Sequence, residues 1–469
     1  MDRYKLLSDA DLLRIDQASR ALLWEIGLLV ENEEAQFYFE KAGAHVDKKT
    51  NMVRFPDYVI SDTISKCQSY VRLYDRKNPE PIVIGGDDVY FGTVGIATNV
   101  FDIHTDQYRE VLTQDLVDII QLSDVLDRPH YILVPGTPTD VPSTIVDLVE
   151  TKALLLNTSK HFIAEAQNAE NCRKTFEMCA EVAGGMDKFI EKPFATMLVT
   201  LTSPLHCRKD VAELVIETSK IGAPLFIESG PMAGGTGPAT LAGTLVLANA
   251  EILSTFVLAK AVNPNVPLVY ASWARLLDMR AATCSHGGPE FPMLRIGISQ
   301  LAKYYGFPSG GGAVLADTKS VDVQLGMEKM GTGLLPAIAG CNMCTGMGLF
   351  ADENAISLET LIIDWEVTGW IERVLRGIDV SKETCDLSVF REVGPGGDFV
   401  RSQHTFDNYK KESFLPKIMD RGYLAIEKDP LAKSMRKRAK AMYPKLMQKY
   451  KAPEISEEVV KKLDEIIAR

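Results

Sequence analysis

Eight times between residues 97 and 378, a short run rich in β-branched and aromatic residues gives way to a loop and then to apolar residues spaced three and four apart. Few architectures satisfy that order. The pairs are 97–102 with 113–126, 131–134 with 143–156, 161–164 with 169–182, and 194–201 with 209–221. They continue with 224–227 and 239–261, 266–270 and 290–305, 312–315 and 320–335, and 337–341 and 353–375. Strands that alternate with helices make parallel sheets. Eight units without a glycine-rich nucleotide turn predict an α/β chain with a closed (β/α)8 TIM barrel, although periodicity alone also suits a doubly wound sheet.

Three regions follow: an N-terminal helical and β extension over 1–96, the barrel over 97–378, and a C-terminal extension with charged helices over 379–469. Leu12, Leu13, Ile15, Leu22, Leu23 and Ile26 recur at helical spacing behind the capping pair Ser8 and Asp11. Lys433, Arg436, Lys437, Arg438 and Lys440 form a basic patch. Such a run is ordinarily a solvated helix face and less often a docking surface for an acidic partner.

Charge and composition exclude several functions. A net charge of −12 and a pI near 5.3 argue against nucleic-acid binding, which needs a basic face. The opening MDRYKLLSDADLL has no apolar core for a signal peptide. The apolar stretch 241–262 contains Asn249, Glu251 and Lys260, which predicts a buried helix rather than a membrane span. Eight scattered cysteines in a long chain read as reduced thiols, so a cytoplasmic location is expected.

Catalytic groups of a barrel belong at the C-terminal ends of its strands. Strand five ends at Glu228, and a loop with Gly230, Gly234, Gly235 and Gly237 follows, stiffened by Pro231 and Pro238. A carboxylate beside four glycines suggests a ligand pocket, against the plainer reading of a tight connection. Strand six ends in Tyr270 and Trp273, with Asp278 beyond; strand seven ends near Asp317. The next helix projects Asp322, Gln324 and Glu328, the last two four apart on one face. Carboxylates and aromatic rings around an apolar mouth suit a cation. Individually these are ordinary surface charges and packing rings; their convergence carries the reading. Cys341 and Cys344 form a lone CxxC, which reads as buried structural thiols, and no metal site is expected. Gly310 to Gly312 resembles the lead-in to strand seven, and His404 is ordinarily a structural histidine.

PMAGGTGPATLAG (231–243), NAE (249–251), DMR (278–280), GPE (288–290) and YYGFP (304–308) resemble the signature of the trimethylamine methyltransferase family. ADTKSVDVQLGMEK (316–329), LETLIIDWE (358–366), VGPGGDF (393–399) and HTFDNYKKESFLP (404–416) extend the resemblance along nearly the whole chain. It implies a TIM barrel that moves a methyl group from an amine to the cobalt of a cognate corrinoid protein. The twenty standard residues suffice for this sequence, so it resembles the branch without pyrrolysine, which acts on quaternary amines. Glycine betaine is the expected substrate, with proline betaine, carnitine or butyrobetaine as alternatives.

On this reading Glu228, Asp317 and Glu328 are the expected catalytic carboxylates. Tyr270, Trp273, Gln324, Gly234, Gly235, Arg280 and His404 are the expected substrate contacts. Cobalamin arrives on the partner rather than as a tightly bound cofactor, and assembly into a homo-oligomer is expected. A zinc-dependent barrel methyltransferase using Cys207, Cys341 and Cys344 is the competing reading.

Overall fold

Eight parallel strands form one sheet in sequence order: β1 (Tyr90–Thr93), β2 (Ile132–Leu133), β3 (Phe162–Ala164), β4 (Ala195–Leu201), β5 (Leu225–Ser229), β6 (Leu268–Ser272), β7 (Ser309–Gly312) and β8 (Met343–Met347). β8 pairs with β1, and a parallel bridge between Gly92 and Tyr131 joins β1 to β2 and closes the ring. The structure, a computed structural model, describes residues 3–95, 97–423 and 434–469. Eight helices return the chain: α1 (Thr113–Val125), α2 (Val146–Asn157), α3 (Ala169–Ala183), α4 (Lys209–Ile221), α5 (Leu241–Val262), α6 (Glu290–Tyr305), α7 (Val323–Ala339) and α8 (Leu358–Leu375).

Period-two alternation sorts each strand between two cores. Leu225, Ile227, Leu268 and Tyr270 pack outward against the helices, whereas Phe226, Val269 and Ala271 fill the barrel. Glu228 shares the parity of Phe226 and so points inward. The β7 sequence SGGG follows from that filling. A Cβ on Gly310 would lie 2.5 Å from the Phe226 ring, and one on Gly312 would lie 2.7 Å from Phe291 and 2.9 Å from Trp273. Large rings from β5, from α6 and from just past the end of β6 leave β7 no room for side chains.

The barrel strands begin earlier and end later than the sequence rhythm indicates. The run at 97–102 does form a strand (Asn99–Phe101), but it pairs with Tyr108–Glu110 and Ala355–Ile356 in a small separate sheet. Residues 310–312 are β7 itself, and 337–341 belong to the end of α7 and its turn, with β8 following.

The 22-residue α5 is, among the described residues, the one helix long and apolar enough to cross a bilayer, and it is buried in the fold. Each of its buried polar groups is bonded. Asn249 contacts Ser19, Tyr270 and Tyr305; Glu251 accepts from Ser203, Leu205 and Ser229; Lys260 donates to the Pro264 and Val266 carbonyls. Burying such groups without partners would cost several kcal/mol, of order 2–7 each.

Helices Asp9–Glu25, Glu33–Lys41 and Asp57–Ser65 cover α5 from outside. The hairpin of Tyr70–Leu73 and Ile82–Gly85 lies at the N-terminal ends of the strands, where the Asn342 amide donates to the Gly85 and Gly86 carbonyls. At the other end of the chain, Met435–Met447 packs on α8 and α1, and Glu457–Ala468 packs on α3. Arg436 pairs with Glu359 and Asp106, and Lys440 with Asp106, so these members of the basic run bind the barrel's own acids. Lys433 lies outside the described residues.

Candidate active site

A cavity of about 640 Å³ opens at the C-terminal ends of the strands, between β3, β4, β5, β6 and the loop after β8. Its apolar wall comes from Val94, Leu133, Leu198, Val199, Leu201 and Leu349. Its charged groups are four carboxylates, Glu165, Asp210, Glu228 and Glu353, and one guanidinium, Arg275.

Glu228, the inward residue near the end of β5, is 8% exposed and accepts a hydrogen bond from Thr200 Oγ1 of β4 at 2.8 Å. Burial pushes its carboxyl up to about 7 against the help of Thr200, Arg295 and Arg275. Glu165, directly after β3, is also pushed to about 7, by burial and then by the charges of Glu228 and Asp147. It keeps some accessible surface because the cavity itself admits water, yet it lies deep in the protein. Behind it, burial together with Glu165 and Asp147 drives Glu150 to about 9. Acids crowd one wall without matching cations. Such displaced carboxyls in a cleft mark functional sites.

Trp273, just past β6, is 8% exposed and forms the cavity's aromatic surface, its indole Nε1 donating to Glu353 Oε1. Glu353 ends three consecutive residues in left-handed backbone, Ala351, Asp352 and Glu353, at φ of 55°, 56° and 63°. Non-glycine residues hold that region only when their surroundings over-determine it. Part of that support is the buried pair of Lys329 and Asp364 at 2.7 Å, which also binds the Leu349 carbonyl and the Gly348 amide.

The glycine loop lies at the cavity rim, but through Gly230, Met232 and Thr236. Gly234 and Gly235 are exposed, and the amides of Gly234, Gly235 and Gly237 are consumed within the turn by the carbonyls of Gly237 and Met232. Pro238 precedes the helix, which is capped by Thr240. Met232–Ala233 pairs with Arg275–Asp278, and that strand with Thr283–Ser285, giving a small three-stranded sheet over the mouth.

Of the residues singled out from sequence, Glu228 and Trp273 come together in the cavity. Tyr270 stands apart: opposite in parity to Trp273, it faces α5, and its hydroxyl donates to Asn249 Oδ1 at 2.8 Å. Glu328 accepts from the Asp317 and Thr318 amides at 2.8 and 3.1 Å and from Gln324 at 2.7 Å, so this pair braces the loop carrying Asp317 beside the cavity. Arg280 is 94% exposed in its side chain, at the tip of the rim hairpin. His404 sits on the helix Gln403–Glu412 of the C-terminal extension, which meets the N-terminal side of the barrel through Arg373 and Arg376 at the end of α8. Cys207 pairs with Leu28–Val30 outside the barrel, far in the fold from Cys341 and Cys344 at the start of β8; these thiols do not gather as zinc ligands.

Glu165, Glu353, Thr200 and Arg275 were not singled out from sequence. Glu165 follows its strand as Glu228 ends its own, so the strand-end rule could have found it. Arg275 has a plainer signal, lying two residues past Trp273.

Comparison with known proteins adds the family. The trimethylamine methyltransferase (MTTB) family matches residues 1–469. Trimethylamine methyltransferase MttB of Desulfitobacterium hafniense (strain DSM 10664 / DCB-2) is 33% identical over 414 residues, 88% of this chain and 83% of that protein. The glycine betaine methyltransferase of Desulfitobacterium hafniense (strain Y51) is 30% identical over 474 residues, 100% of this chain and 98% of that protein. The solved hydroxylamine complex of MtmB matches with a TM-score of 0.51 at 12% identity, covering 98% of this chain and 94% of the other, a likeness of fold.

Proposed function

The chain belongs to the trimethylamine methyltransferase family and is a methyltransferase, and from that premise we propose that it demethylates a quaternary amine, glycine betaine first, in favour of a corrinoid on a separate protein. The observation that carries this reading is the imbalance of the cavity: four carboxylates and one guanidinium around an apolar wall.

A quaternary ammonium has no N–H to donate and asks only for negative charge and polarisable surface. Glu165, Glu228 and the Trp273 face supply both, and a ring face contributes about 2 kcal/mol once the cation is desolvated. Arg275 is the lining group that matches a carboxylate, which favours a betaine over a simple tetraalkyl cation. With ammonium and carboxylate fixed at two points, one N-methyl is left to face the mouth. Holding the reacting atoms in line is worth up to roughly 7–11 kcal/mol relative to free encounter.

The leaving group is a neutral tertiary amine, so its nitrogen requires no prior activation. The freed tertiary amine takes up a proton from water, and an ammonium without a lone pair cannot recapture the methyl group, which discourages the reverse reaction. The corrinoid supplies the cobalt(I) nucleophile. A cavity of about 640 Å³ suits a small amine rather than a corrin ring, so the ring stays with its own protein at the mouth.

The test is turnover: glycine betaine, proline betaine, carnitine, butyrobetaine and trimethylamine, each with reduced corrinoid and an activating system. Methylcob(III)alamin absorbance and the demethylated amine are expected for a betaine. If no betaine is consumed while trimethylamine is, the reading fails.

A further inference from the structure

We propose that His286, Asp317 and Asp352 form a binding site for a first-row divalent cation beside the substrate cavity. Three ligand atoms, one from each residue, lie within 4.8 Å of one another. His286 Nδ1 is 3.0 Å from Asp352 Oδ1 and 3.9 Å from Asp317 Oδ1. The imidazole is 1% exposed, and both of its nitrogens face carboxylates, because Nε2 lies 3.1 Å from Glu353 Oε1 without a hydrogen bond's alignment.

A neutral imidazole has one N–H. With that hydrogen toward Asp352, the carboxylate of Glu353 meets a lone pair inside the protein. A cation shared by Nδ1, Asp317 and Asp352 removes the conflict: the nitrogen lone pair points at the cation and the N–H turns to Glu353. A metal-bound histidine that donates its other N–H to a carboxylate is the recurring form of such sites.

The neighbourhood agrees. Asp317 otherwise accepts from the Ser285 hydroxyl and the His286 amide, and Lys319 Nζ donates to the Asp317 carbonyl rather than its carboxylate. The cluster opens on a polar cavity of about 330 Å³, where Ser285, Thr318 and water can complete the coordination. One imidazole nitrogen with two carboxylates suits Mn²⁺, Fe²⁺ or Zn²⁺ better than Ca²⁺ or Mg²⁺.

The cation's part is positional. It ties the loop after β7 (Asp317), the rim turn (His286) and the left-handed turn after β8 (Asp352), and so holds Glu353 and Trp273 in the cavity wall. The site is independent of the methyl-transfer reading, because it is tested without amine or corrinoid.

The full chain is stripped with a chelator and titrated with Mn²⁺, followed by calorimetry and the loss of the free-Mn²⁺ paramagnetic resonance signal. One Mn²⁺ per chain is expected, with Trp273 fluorescence responding. Asp317→Asn and Asp352→Asn, near-isosteric and partly exposed, should each weaken binding more than tenfold, and Glu353→Gln about 10- to 100-fold. Circular dichroism confirms that each variant is folded. If the wild type binds Mn²⁺ no better than the folded Asp317→Asn/Asp352→Asn double variant, the proposal is overturned and a shared proton, not a metal, holds the cluster.

Discussion

Two sets of buried carboxylates in this barrel face opposite fates. Behind β8, Asp364 is fully buried but meets Lys329 Nζ at 2.7 Å and the Gly348 amide at 2.7 Å, and both oppose the upward push of burial on its carboxyl. Under the mouth, Glu228 and Glu165 receive, among the described residues, no lysine or arginine within ion-pair reach, and burial pushes them to about 7. The first set is complete without a ligand and holds the loop that bears Leu349 and Glu353. The second is stabilised only when a positive group arrives from outside. Pairing separates scaffold from site here, where burial and residue type do not.

The comparison breaks most readily at the scaffold. Lys329→Met strands the Asp364 charge, and removing one partner of a buried pair costs about 3–5 kcal/mol. Replacing both, with Lys329→Met and Asp364→Leu together, should recover most of that loss in denaturant unfolding. A single variant within 1 kcal/mol of wild type would show that the pair carries no structural load.

Glu228→Gln should act in the opposite direction. Its carboxyl stands near 7 in the folded protein against an ordinary 4.5, so its stabilising contribution is present below about 4.5 and lost as pH rises through 7. At pH 8 the variant should therefore be more stable than wild type, by about 3 kcal/mol at most. Its affinity for a quaternary amine should fall. A gain in stability with no loss of affinity would make Glu228 a bystander.

The contrast also shows what could be read from residues alone. The alternation of strands and helices was legible through five of the eight units, because each strand there is short, apolar and flanked by turn residues; β1, β7 and β8 lie elsewhere than the expected runs. β7 was displaced because SGGG has poor strand propensity, and the rings of Phe226, Phe291 and Trp273, brought in from other elements of the fold, explain it. β1 was displaced because 97–102 is as strand-like as 90–93, and the pairing of Asn99–Phe101 with Tyr108–Glu110 is settled by tertiary contacts. Tyr270 was legible in principle: it is three residues from Trp273, an odd offset, and hence on the other face of the same strand. Glu353 was not, since nothing in ADEN announces three left-handed residues in a row.

A third test sharpens the ligand's shape. Arg275→Met should weaken glycine betaine binding by about 10- to 100-fold, the worth of a hydrogen-bonded charge at roughly 1.5–3 kcal/mol. Choline, which lacks the carboxylate, should bind the variant and the wild type alike. Equal losses for both would assign Arg275 to the cavity's shape rather than to recognition.

The smallest effect is also the most specific to the unpaired acids. A fixed cation binds better to ionised carboxylates, so it drives protons from Glu165 and Glu228, and its affinity should rise as pH climbs through about 7. The change should be about tenfold between pH 6 and pH 8, since a cation and a proton compete there for the same oxygens at about 1.4 kcal/mol per pH unit for each proton displaced, partly offset by coupling. Calorimetry at pH 7 in buffers of different ionisation enthalpy should register the released proton directly. The Glu165→Gln/Glu228→Gln double variant should show neither the slope nor the release, whereas Asp364→Asn, if folded, should keep both, because that carboxylate already has its cation.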